Sequence, residues 1–204
     1  AHLVSMDADV LSEPLAGPDG ALRFFVRDPR GNLFQVAPSS DWFGNPGRSG
    51  GVGGVVIGSS DIDAALPLYR DVLGYDTVEY DVYGVQADFE PLPGGNAPVR
   101  RVLLSHSTRR VGPFSELMGA STIELISLEA GGGRRIFQDR FWGDLGFIHL
   151  CFDVRHMNDL AAACAHAGHP FTVDSSDTFD MGSAGGRFSY VEDPDGTLIE
   201  FVET

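Results

Sequence analysis

The sequence predicts an α+β fold built from a repeated strand-helix-strand-strand-strand (βαβββ) unit, and three observations predict it. Two distant stretches carry the same hairpin: Asp28-Pro29-Arg30-Gly31-Asn32-Leu33-Phe34-Gln35-Val36 reads like Asp193-Pro194-Asp195-Gly196-Thr197-Leu198-Ile199-Glu200-Phe201. Two strand-like runs, 55–57 and 147–154, are each followed by a segment of helical character that stops at a glycine. Three further strand-like runs follow each helix. Self-similarity at this range marks a duplicated architecture.

The shared turn has a physical cause. Proline presets φ at the second turn position and glycine accepts φ > 0, so Asp-Pro-x-Gly between apolar runs makes a β-hairpin. In the first complete copy, Ser60 or Asp61 can cap a helix through Ala64, Ala65, Leu68, Tyr69 and Leu73, with Gly74 as its stop. Pro67 is tolerable there only in the first turn or two. In the second copy Asn158 or Asp159 precedes Leu160 to Ala165, and Gly168 follows. The later strands are expected at 77–82, 99–105 and 122–128, and again at 171–173, 186–191 and 197–202.

The organisation follows. Residues 1–38 match only the back half of a unit, so a front strand and helix are expected upstream. Residues 39–50, rich in Gly, Ser, Asn and Pro, read as a linker. Residues 51–204 hold two complete modules, 51–130 and 143–204. Gly131-Gly132-Gly133 connects them and is no phosphate loop, since no GK[ST] follows.

Composition narrows the function. Lys plus Arg is 14 and Asp plus Glu is 29, a formal net charge of −15. Such a chain repels nucleic-acid backbones. No apolar run approaches the roughly 20 residues of a membrane span. Cys151 and Cys164 have neither zinc nor CxxC spacing, and two free thiols fit a reducing, cytoplasmic setting.

Three ionisable residues stand out by strand alternation. Glu124 shares its face with Thr122 and Ile126. Glu200 shares its face with Leu198 and Val202, and His149 with Phe147 and Cys151. Charges on apolar faces need partners, because an unpaired buried charge costs several kcal/mol. One histidine and two carboxylates around a divalent ion meet that need, and suit Zn, Ni, Mn, Fe or Co. Singly, each residue reads as a hydrogen-bonded or solvated strand residue. Arg100, Arg101, Arg109 and Arg110 read either as a grip for an anionic substrate or, more simply, as a solvated strand end and loop.

Ser60 to Gly74, Ile123-Glu124-Leu125-Ile126, Ile148-His149-Leu150 and Asp193 to Phe201, in this order, resemble the vicinal-oxygen-chelate superfamily of glyoxalases, bleomycin-resistance proteins and extradiol dioxygenases. The resemblance implies paired βαβββ modules whose mixed sheets close into a cup with a metal at its base. Its ligands would be Glu124, His149 and Glu200. The fourth ligand position aligns with Gly54, which has no side chain, and water or His106 would fill it. The implied activity is a metal-dependent, glyoxalase-like lyase or isomerase acting on a small molecule with adjacent oxygens. Glu200 would be the catalytic base, with Glu124 the alternative. The alternatives are a non-catalytic small-molecule binder and a dioxygenase, against which the missing first histidine counts. Both a homodimer and a cup within one chain are compatible with two complete modules.

Overall fold

The computed structural model describes residues 2–39, 51–111, 120–129, 131, 133–175, 179–180, 182 and 185–203. The expected linker, apart from Ser39, lies outside the described residues, as do Ala130 and Gly132.

Three sheets carry the described residues. The N-terminal segment has a short helix α1 (His2–Ser5) and strands β1 (Asp9–Val10), β2 (Leu15–Ala16), β3 (Leu22–Arg27) and β4 (Leu33–Val36). β3 is central and pairs antiparallel with the other three. The second sheet holds β5 (Gly54–Gly58), β6 (Thr77–Gly84), β7 (Val99–Ser105) and β8 (Thr122–Leu128), in the order β5-β8-β7-β6. The third holds β9 (His149–Asp153), β10 (Val173–Asp174), β11 (Phe179–Asp180), β12 (Gly185–Glu192) and β13 (Leu198–Glu203). Its order is β10-β12-β13-β9, with β11 also on β12. In both sheets the first strand of the unit lies parallel to its last, β5 to β8 and β9 to β13. Such parallel pairing needs a long crossover connection, which here begins with a helix.

The Asp-Pro-x-Gly turns are built alike. Asp28 Oδ1 accepts from the amides of Arg30 and Asn32, both at 2.8 Å. Asp193 Oδ1 accepts from those of Asp195 at 2.9 Å and Thr197 at 2.7 Å. Gly31 and Gly196 sit at φ +89° and +83°, which glycine alone tolerates freely.

Asp61 caps α2 (Ile62–Leu66), accepting from the Ala64 amide at 3.1 Å. Pro67 brings no amide hydrogen, and the helix continues as a π-helical turn, Pro67–Val72, closed by Leu73 N–H to Leu68 O at 3.0 Å. The second crossover helix, α3 (Met157–His166), begins before the expected Asn158 or Asp159 cap. His156 precedes it in the left-handed region, and Glu203 Oε1 from β13 accepts from the Met157 amide at 3.2 Å. A distant carboxylate thus does the work expected of a local cap.

The helix-bearing faces of the second and third sheets share one core. Ile57, Leu68, Tyr69, Leu104 and Leu125 pack with Met157, Cys164, Val191, Ile199 and Phe201. Alternation then dictates what lies outward. Glu124 stands between core residues Ile123 and Leu125, so it points away from that core. His149 flanks Leu150, and Glu200 stands between Ile199 and Phe201, so both point away on the opposite side. A smaller cluster of Phe25, Phe89 and Val99, with Leu11, Leu92 and Ile126, packs the N-terminal sheet over the outward face that bears Glu124. No helix among the described residues is long and apolar enough to cross a membrane.

Candidate functional site

The structure divides the three sequence-predicted residues between two faces. Among the described residues no group of three or more His, Cys, Asp or Glu side chains is placed to hold a metal ion.

On the first face Glu124 is enclosed, with only 2% of its surface exposed. Its Oε1 accepts from Arg101 Nε at 2.5 Å and from the Tyr80 hydroxyl at 2.8 Å. Arg101 is fully buried and also forks onto Asp88, at 2.7 and 2.9 Å. Its guanidinium lies over the Phe89 ring, 3.8 Å from the centroid. Burial works against the Arg101 charge, but the hydrogen bonds and charges of Glu124 and Asp88 outweigh it and raise its pKa. The Tyr80 phenol is raised by burial and by the Glu124 charge. The network reaches the N-terminal sheet through Arg23 Nη1, which donates to the Tyr80 oxygen at 3.3 Å.

The fourth expected ligand position is blocked as well as bare. A Cβ on Gly54 would lie 2.4 Å from the Thr122 carbonyl oxygen. β5 approaches β8 too closely for any side chain to enter without a backbone shift. His106 is engaged elsewhere: its Nδ1 lies 2.5 Å from the Gly74 carbonyl oxygen and its ring lies tilted against Tyr75, 4.0 Å between centroids.

The second face is open and aromatic. His149 Nε2 and Glu200 Oε2 are 2.9 Å apart, with their side chains 23% and 17% exposed. Register places Tyr190 opposite Glu200 on one side and Cys151 opposite it on the other. Both therefore lie beside the Glu200 carboxylate. Burial and the adjoining Glu200 carboxylate push the Tyr190 phenol up. Cys151 is exposed as a residue, yet loss of water around its sulfur and the Glu200 charge push its thiol up to about 12. Sequence reasoning missed the ring system. Trp142 stacks on His149, 5.4 Å between centroids at 12°, and Phe137 stacks on Trp142 at 5.7 Å and 14°. Tyr190 stands edge-on to His149 at 5.8 Å. Trp142 is 58% exposed. The alternation of Phe188 and Tyr190 along β12, on the face of Glu200, was the available signal. Trp142 lies in an irregular stretch between the modules and gave none.

These donors do not fit the implied three-ligand ion within this chain. Arg101 already neutralises Glu124 and sets a permanent positive charge beside it. His149 and Glu200 make a two-donor set, and His149 Nδ1 is buried without a hydrogen-bond partner. A metal-bound histidine ordinarily donates that nitrogen's proton to a second group.

Residues 51–201 match the family model of the glyoxalase/bleomycin resistance protein/dioxygenase superfamily, and the chain belongs to that superfamily. Glyoxalase I from Zea mays is 12% identical with a TM-score of 0.55, covering 98% of this chain and 61% of its own. A mutant of the same enzyme gives 13% identity and a TM-score of 0.56, covering 98% and 61%. A glyoxalase family protein from Enterococcus faecalis is 20% identical, covers 75% of this chain and 97% of its own, and has a TM-score of 0.48. The chain therefore spans about three fifths of the maize enzyme's length. No curated protein sequence matches the chain.

Proposed function

We propose that the protein binds a small molecule on the open face of the third sheet, around His149 and Glu200. One observation carries this reading: His149 and Glu200, 2.9 Å apart, lie among the rings of Trp142, Tyr190 and Phe188 on an outward face. Aromatic rings supply flat apolar area, and a few convergent polar groups fix a ligand's orientation. The superfamily's binders sequester small molecules on such a face without needing a metal, and the donor set of this chain is consistent with that.

A second reading is the metal-dependent, glyoxalase-like lyase or isomerase, with Glu200 as its base. It is favoured by the contact between His149 and Glu200, the two residues that the resemblance assigns to the second module's ligand positions. Further donors would have to come from outside the described residues. Free Cys151 and Cys164 support a cytoplasmic setting for either reading.

One experiment separates the two. Metals are stripped and re-added, bound metal is measured by elemental analysis, and Trp142 fluorescence is followed in a Trp42→Phe background against a small-molecule panel. Binding reads as quenching without metal, lost in His149→Ala. Retained metal, lost in His149→Ala and Glu200→Gln and accompanied by turnover of hemithioacetals, 2-oxoacyl thioesters or catechols, replaces it with the enzyme reading.

A further inference from the structure

We propose that Arg101 is the resident cation of the first face: its guanidinium holds the place beside Glu124 that the family gives to a metal, and makes that face a metal-indifferent structural element. Any ligand chemistry is then left to the His149–Glu200 face.

The geometry supports this at each contact. Arg101 stands on β7 between Val99 and Leu103 on the outward face, with Glu124 directly opposite Leu103. Its Nε meets Glu124 and its Nη1 forks onto Asp88, so one planar cation bridges two carboxylates. Asp88 and Glu124 are 2% exposed and Arg101 is fully buried. Two carboxylates enclosed this completely need a positive charge between them, since their desolvation and mutual repulsion are otherwise uncompensated. A divalent ion and a guanidinium both meet that need, but not at once. Phe89 beneath the guanidinium and Tyr80 beside it favour the flat organic cation, which stacks on rings where a hydrated ion does not. The N-terminal sheet closes over the assembly through Phe25 against Phe89, 5.9 Å between centroids, and Arg23 to Tyr80. The cation is thereby tethered in a closed pocket.

This inference concerns the first face alone, and its failure is separable from that of the small-molecule reading of the second. The test uses the full chain with His149→Ala, which disables the second face. Thermal unfolding is compared with and without Arg101→Ala, in millimolar guanidinium chloride and in equal sodium chloride. The expected result is a fall in Tm of roughly 10 °C on Arg101→Ala, partly restored by guanidinium and not by sodium. An unchanged Tm, or equal recovery in sodium chloride, overturns the proposal. Should Arg101→Ala not accumulate folded, Arg101→Gln with both Asp88→Asn and Glu124→Gln serves instead. This triple leaves no buried charge at the site and is expected to be more stable than Asp88→Asn with Glu124→Gln, which strands the Arg101 charge; a triple no more stable than that double overturns the proposal. In the His149→Ala protein with Arg101 intact, elemental analysis after manganese loading is expected to show no retained ion. Manganese that is retained there and lost on Glu124→Gln overturns it directly.

Discussion

The Tyr69 hydroxyl donates to Asp193 Oδ2 at 2.8 Å, joining the π-helical turn of the first module to the Asp-Pro-x-Gly turn of the second across 124 residues. Tyr69 is fully buried and Asp193 nearly so. The other carboxylate oxygen of Asp193 already holds the turn amides, so Tyr69 is the partner that completes it. Tyr69→Phe keeps the ring and removes only this bond. A hydrogen bond to a buried charge is worth about 1.5–3 kcal/mol, and urea unfolding should show a loss of that size. A change below about 0.5 kcal/mol shows that water replaces the hydroxyl.

The two carboxylates that the sequence paired as ligands should behave differently when neutralised. Glu124→Gln leaves Arg101 paired with Asp88 but removes the charged acceptor of both Arg101 Nε and the Tyr80 hydroxyl in a closed site, so urea unfolding should show a loss of about 3 kcal/mol. Glu200→Gln acts at a partly exposed pair and should cost about 1 kcal/mol or less. Equal losses would argue against the division of the sites between a closed face and an open one.

The local chemistry explains what was legible. β7 and β8 fall at the expected residues 99–105 and 122–128, because their apolar runs are bounded by turn residues. Both Asp-Pro-x-Gly hairpins form as read, since aspartate, proline and glycine act within four residues of one another. Alternation also gave the face-mates of Glu124, His149 and Glu200 along their strands, and the structure turns those faces away from the shared core. It cannot say which face meets which, and here the two sheets pack through their helix sides. Arg101 read most simply as a solvated strand end, although its face-mates Val99 and Leu103 signalled burial. Its second partner, Asp88, lies in a 3₁₀ turn whose approach to β7 no period reveals.

Cys151 should be a sluggish thiol despite its exposed position. Its pKa of about 12 leaves little thiolate at pH 8, so iodoacetamide should label it about a hundredfold or more slower than an unperturbed cysteine. The Glu200 charge is part of the cause, so Glu200→Gln should lower the pKa and speed labelling severalfold. Peptide mapping separates Cys151 from buried Cys164, whose thiol is itself raised by burial to about 11. Rapid labelling of Cys151 in the unaltered protein would remove the argument that Glu200 and desolvation hold it neutral.

Acid should loosen the contact between the modules through Asp195. Its carboxylate accepts from the Ser60 amide at 2.9 Å and the Ser59 hydroxyl at 3.0 Å, bridging the start of the first crossover to the second hairpin turn. Burial works to raise its pKa, but the bonds from Ser60 and Ser59 and the Arg135 charge outweigh it and hold the carboxyl below its usual value. A folded-state pKa below the unfolded one means stability that is present above about pH 4 and is lost as pH falls through the folded value. Asp63 and Asp76 are lowered too and add to the same acid limb. Comparison with Asp195→Asn cancels that shared background. The variant should have a lower Tm at pH 7 and a smaller further fall between pH 5 and pH 2.5, followed by circular dichroism. Parallel curves for the two proteins would show that the Asp195 bridge carries none of the acid sensitivity.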